Sequence, residues 1–136
     1  MASRDLTADL KTENATDPQT GGAITGTTID TQGFEAVTLV AVSDGGGSAD
    51  GDYSFKAQSA ADDGTGSPDT WADVAAADLR GAFSENFQAD AAVHDEVGVV
   101  VNQRFVRLVM VETTAATTAP TVAGVAMLGM ATATPV

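Results

Sequence analysis

A chain of 136 residues with 43% hydrophobic content is long enough for one domain with its own core and too apolar to be disordered. Only 5% of the residues are aromatic, so that core must be built from small and β-branched side chains, and assembly with other subunits is a natural source of extra stability. Nineteen Asp and Glu against six Lys and Arg leave a net charge of −13, which disfavours nucleic acid and anionic lipid as partners, and the lack of cysteine excludes disulfides, thiol chemistry and Cys-based zinc sites.

Residues 1–22 are polar and end in Gly21-Gly22. They show no basic stretch followed by an apolar run, so no secretory leader is expected. Leu6 and Leu10 are spaced to share one face of a short helix, and the alternative is a loose tail. The segment is expected to be an N-terminal arm, followed by a body over 23–130 and a tail over 131–136.

From residue 23 the pattern becomes strand-like. Ala23 to Asp30 is rich in β-branched residues, and Phe34 to Val42 is a strong strand candidate. Ser43 to Gly51 reads as a turn. Tyr53 to Ser59 alternates, with Tyr53, Phe55 and Ala57 on one face and Ser54, Lys56 and Gln58 on the other. Residues 60–70 form an acidic Gly/Pro loop. Trp71 to Val74 reads as a short strand, and Ala75 to Leu79 as one helical turn stopped near Gly81. Residues 82–95 carry no clear pattern. Glu96 to Val101 reads as a buried strand, joined through Asn102-Gln103 to Arg104–Glu112, where Val106, Leu108 and Met110 share one face. Thr121 to Met130 is a last strand of small residues. It is too short for a bilayer, which takes ~18 apolar residues, and it is broken by Gly124 and Gly129. About six to eight short strands at hairpin spacing predict an all-β fold, a β-sandwich or Greek-key barrel.

Catalytic patterns are sparse. His94, the single histidine, lies beside Asp95 and Glu96, where it reads as a solvated or hydrogen-bonded loop residue rather than a general base, and no Gly-x-Ser-x-Gly elbow accompanies it. Asp44, Asp50 and Asp52 flank one glycine loop and Asp62, Asp63 and Asp69 another. Carboxylates on such loops suit calcium, but an EF-hand started at Asp50 would need Glu where Ala61 stands, and Asp and Gly are ordinary turn residues. Gly45-Gly46-Gly47 has no Gly-Lys-Ser/Thr and is not a phosphate loop. No cofactor or metal is expected, and the chain is expected not to be an enzyme. Trp71 and Tyr53 could stack on a sugar, which would make a carbohydrate-binding module. Arg104 and Arg107 point to opposite faces of a strand, and either an internal ion pair or an intersubunit contact would satisfy the one that meets apolar neighbours.

The order of these pieces carries a resemblance. Gly33-Phe34-Glu35-Ala36-Val37 precedes an Asp/Gly loop. Then come Asp52-Tyr53-Ser54-Phe55-Lys56-Ala57-Gln58-Ser59, Asp62-Asp63-Gly64, Thr70-Trp71-Ala72-Asp73-Val74 with Ala77-Asp78-Leu79, and Arg104-Phe105-Val106-Arg107-Leu108. This order, over roughly residues 28–130, resembles small virion structural proteins of tailed bacteriophages, similar to head decoration or cement proteins. The resemblance implies a setting on the outer surface of a capsid, with the major capsid protein and copies of the chain itself, in a trimer or ring, as partners. It transfers no site. Arg4, Leu6, Leu10, Arg104 and Arg107 are the expected assembly residues, with the arm as a clamp across neighbouring subunits. A tail-tube or head-tail joining protein is the alternative within the same setting.

Overall fold

The computed structural model describes residues 10–131, and alternating side chains organise more than half of them into strands. In chain order these are β1 (Lys11–Thr20), β2 (Ile24–Thr25), β3 (Ile29–Asp30), β4 (Phe34–Asp44), β5 (Asp52–Ala60), β6 (Ala72–Asp73), β7 (Leu79–Arg80), β8 (Phe87–Gln88), β9 (Ala92–Val100), β10 (Phe105–Thr114) and β11 (Thr121–Ala131). Sheet A has the order β1-β11-β4-β9-β7. Sheet B has the order β2-β10-β5-β6, with β3 also on β10 and β8 also on β5. All pairings are antiparallel. The two sheets make a β-sandwich, as expected, with six strands of nine to eleven residues in place of uniformly short ones.

The core lies between the inward faces. Sheet A contributes Val37, Leu39 and Ala41 from β4, Val97 and Val99 from β9, and Val122, Ala126 and Leu128 from β11. Sheet B contributes Tyr53, Phe55 and Ala57 from β5 and Val106, Leu108 and Met110 from β10. The expected faces of β5 and β10 are those observed. Burial of such side chains stabilises by about 1.5–3 kcal/mol each relative to exposure. Phe87 adds ring contacts, with centroids 5.0 Å from Phe55 and 6.1 Å from Tyr53.

Three expectations are revised. Residues 11–20 of the expected arm are strand β1 at the edge of sheet A, and Ala15 and Thr16 are buried. Their polar composition hides this, because the ladder on β11 supplies what propensity lacks. The ladder shifts register at 14/16 and again at 16/19, and the second shift accommodates Pro18, which an edge strand tolerates at a bulge. Arg4, Leu6 and residues 132–136 lie outside the described residues.

Second, Ala23–Asp30 is broken into β2 and β3. Gly26 N–H donates to Leu108 O of β10 at 2.7 Å, and Thr27 N–H donates to Ala15 O of β1 at 2.8 Å. Residues 26–27 therefore bridge the two layers, between β2 and β3, which both lie on β10 of sheet B. A Cβ at residue 26 would lie 2.5 Å from both carbonyl oxygens, so the bridge requires glycine.

Third, Asn102-Gln103 closes no hairpin: β9 lies in sheet A and β10 in sheet B. The same holds for β4 to β5 and for β10 to β11, so each of these connections is an arch between layers. The first and last strands pair with each other. The helical turn expected over 75–79 is a single 3₁₀ turn, Ala76–Asp78, and Gly81 at φ 111° follows it.

Candidate interaction surfaces

The two outward faces of the sandwich differ in chemistry. On sheet B, β10 presents Arg107 beside Gln58 of β5, its register partner. Arg107 Nε and Nη2 donate to Gln58 Oε1 at 3.0 and 2.7 Å, and the guanidinium lies 4.2 Å from the Trp71 ring centroid. Gln58 Nε2 in turn donates to Asp73 Oδ1 at 2.8 Å, and Lys56 Nζ meets the same carboxylate at 2.8 Å. The Lys56 and Gln58 bonds hold the Asp73 carboxyl below its usual range. This face is a connected polar network in which Lys56 pairs with Asp73 and Arg107 is held by Gln58 and Trp71.

Arg104 sits at the entry to β10. It donates to Asp30 through Nε at 3.1 Å and Nη2 at 2.8 Å, and it also bonds Asp62. Of the two roles left open for an arginine here, the structure gives Arg104 the internal ion pair. The Arg104 bond lowers the Asp30 carboxyl, and Asp30 foremost raises Arg104. Asp62 is lowered first by the Gly66 and Gly64 N–H groups, then by Arg104. The clamp ties the 61–69 loop to the β3 segment. Arg107 takes no carboxylate and lies outward against Trp71.

The acidic loops spend their carboxylates on the backbone. Asp44 Oδ1 accepts from Gly46 N–H at 2.8 Å and Thr121 N–H at 3.0 Å. Asp63 Oδ1 accepts from Thr65 N–H and Oγ1 at 2.8 and 2.7 Å. Asp50 bonds the Ser48 hydroxyl and accepts from Thr117 N–H at 3.0 Å and Thr117 Oγ1 at 2.5 Å, and these hydroxyl bonds draw its carboxyl down to about 2. These are turn and loop-bridging roles. Among the described residues no group of three or more His, Asp or Glu is placed to hold a metal ion. His94 is outward on β9, exposed, with Nε2 at 3.4 Å from Glu96.

Tyr53 and Trp71 do not form a sugar platform. Tyr53 is 0% exposed and faces the core. Its hydroxyl donates to Glu112 Oε2 at 3.3 Å and accepts from Ala116 N–H at 3.2 Å. Trp71 lies on the opposite side of sheet B under Arg107. The carbohydrate-binding alternative built on that pair is therefore set aside.

On sheet A the outward face of β11 and β4 is largely apolar. The large hydrophobic residues most exposed among those described are Leu10 at 44%, Val125 at 43%, and Val42 and Met127 at 39% each. All belong to this one face. Cross-strand register sets Val125 beside Val40, Met127 beside Thr38, and Ala123 beside Val42. The Leu10 side chain reaches within 3.3 Å of where a Gly129 Cβ would stand, on the same side. Next to the Met127–Thr38 row lies a shallow hollow of about 420 Å³ over Ala36, Gly98 and Val100, with Arg80 at its rim. Leu10 was among the residues expected to mediate assembly. Val42, Val125 and Met127 were not. Strict alternation of Val122, Gly124, Ala126 and Leu128 with Ala123, Val125 and Met127 is the signal that separates buried from outward members.

A second depression, about 510 Å³, lies beside β5 between its short partners β6 and β8, lined by Phe55, Ala57, Val74, Leu79 and Phe83. Ser84 O accepts from Phe55 N–H at its border at 3.0 Å, and buried Asp95 holds Ser84 through N–H and Oγ at 2.7 and 2.8 Å.

No family model and no curated protein matches the chain. Solved structures align with it at low identity. The SPBc2 prophage-derived protein YomS is 14% identical with a TM-score of 0.42, over 88% of this chain and 93% of that one. A chain of infectious bursal disease virus, Gx strain, is 10% identical with a TM-score of 0.49, over 93% of this chain and 33% of that one. A chain of the infectious bursal disease virus VP2 subviral particle is 16% identical with a TM-score of 0.31, over 89% of this chain and 40% of that one.

Proposed function

We propose that this chain is a structural subunit of a tailed-bacteriophage virion, a decoration protein that binds the outer surface of the major capsid protein lattice and stabilises it without catalysing a reaction. One observation carries the reading. The motif residues behind the phage resemblance are far apart in sequence, yet they meet in space. Arg104 bonds Asp62, Arg107 bonds Gln58 and covers Trp71, and Lys56 bonds Asp73. The part of the resemblance carried by residues 52–74 and 104–108 therefore rests on one coherent unit of sheet B and its loops. The net charge of −13 supports the reading too, since a subunit of that charge at high density is repelled from DNA and from neighbouring particles.

The test is co-sedimentation of the purified chain with empty capsids of the major capsid protein encoded in the same genome. Saturable binding, with a higher melting temperature for the capsid, is expected. No binding at any protein concentration would overturn the proposal. Arg4 and Leu6 are proposed contacts of the clamp. Their test is removal of residues 1–9, because a cut at residue 20 would delete β1 from the sheet.

A further inference from the structure

We infer that the outward face of sheet A is the docking face, and that its occupant is a protein of different sequence presenting an apolar patch bordered by Lys or Arg. The inference rests on the proposed function, under which that protein is the capsid shell.

The outward positions of β11 and β4 are Ala123, Val125, Met127 and Gly129 beside Ala36, Thr38, Val40 and Val42, and none of these eight is charged. Thr12 and Asn14 of β1 continue the row without charge. Charge returns beside these rows, as Asp44 at the end of β4, Glu96 with His94 on β9 next to Val40 and Val42, Glu35 at the hollow and Arg80 on β7. A strongly acidic chain has thus kept the central outward rows of β1, β11 and β4 clear of charge and exposed Val and Met there. Three strands ~4.8 Å apart and nine or more residues at ~3.3 Å each give an uncharged footprint on the order of 400 Å². That is about half of the ~800 Å² per partner of a standard interface and within the size of the largest patches on monomers, which are often functional.

Charge selects the occupant. A second copy would bring another body of charge −13. A protein that sets Lys or Arg opposite Asp44 and Glu96 meets both carboxylates favourably. Sheet B does not compete for this role. Its outward Lys56, Gln58, Arg107 and Asp73 are already bonded to one another.

The experiment compares four full-length chains in the capsid co-sedimentation assay: wild type, Val125→Glu with Met127→Glu, Val125→Thr with Met127→Thr, and Lys56→Glu. The last changes net charge as much as the double Glu variant does but lies on the opposite face. Unchanged melting curves would check folding, and the Thr pair keeps β propensity should the Glu pair fail to fold. The Glu pair is expected to weaken capsid binding by about tenfold or more, the Thr pair by severalfold, and Lys56→Glu to stay near wild type. Equal binding by all four would overturn the docking face and leave the proposed function standing. A wild type that ignores capsids would overturn the proposed function, and this inference with it. Wild-type oligomers that the Thr pair converts to monomers in sedimentation velocity would make a second copy the occupant, overturning the choice made here.

Discussion

The Arg107 guanidinium lies 4.2 Å from the centroid of the Trp71 ring while two of its N–H groups converge on Gln58 Oε1. The contact joins β10, β5 and the segment leading into β6, so it fastens the edge of sheet B. A planar, delocalised cation is required to stack and to donate in parallel. Arg107→Ala should therefore cost about 1–2 kcal/mol, and Arg107→Lys should recover only part of it. Urea titration checks the size. Trp71 is the only tryptophan, so its emission should move to longer wavelength in the Ala variant before unfolding begins.

Tyr53 offers a second test inside the core. Its hydroxyl is the acceptor for Ala116 N–H and a donor to Glu112. Tyr53→Phe keeps the ring and leaves the amide without that partner. A loss of about 1–2 kcal/mol is expected in denaturant unfolding, with an unchanged slope.

Gly26 tests the bridge between the two layers. Gly26→Ala would press a methyl group against two backbone carbonyls that cannot swing away. The expected cost is about 3 kcal/mol or more, seen as a large fall in melting temperature. Gly21→Ala, where nothing lies within 4 Å of the added carbon, should be close to neutral.

Acid should loosen the loops before the core. The Asp50 carboxyl is drawn down to about 2 in the fold by the Ser48 and Thr117 hydroxyls, and Asp30, Asp44 and Asp62 are lowered in the same direction. A carboxyl whose folded value lies below its unfolded value, near 4, contributes its full stability above that unfolded value and loses it as pH falls through the folded one. The melting temperature should accordingly be flat from pH 7 to about 5 and decline between about 4 and 2. Asp50→Asn should melt lower than wild type at pH 7, with the gap closing toward pH 2. A gap that is constant with pH would remove Asp50 from this account.

Much of the fold could be read from alternation alone. Side chains on a strand change sides at every residue, so the inward faces of Tyr53–Phe55–Ala57 and Val106–Leu108–Met110 follow from their order in the chain. Glycine and aspartate likewise mark the loops near 45 and 64, because their turn chemistry is local. The acidic charge and the lack of cysteine are equally properties of the chain itself.

Partner choice is different, since a strand's pattern says which side is apolar but not which neighbour completes its ladder. Hence the polar segment Lys11–Thr20 becomes a strand only against β11, and Asn102-Gln103 becomes an arch because β9 and β10 bury their apolar sides from opposite layers. The same rule governs the surfaces. The strand over Phe34 to Val42 is apolar on both sides toward its end, and only the stacking of sheet B on one side of sheet A left Val40 and Val42 facing outward beside Val125 and Met127. Local chemistry settled each strand's two sides, and long-range packing, which no stretch of sequence contains, settled which of those sides met another layer.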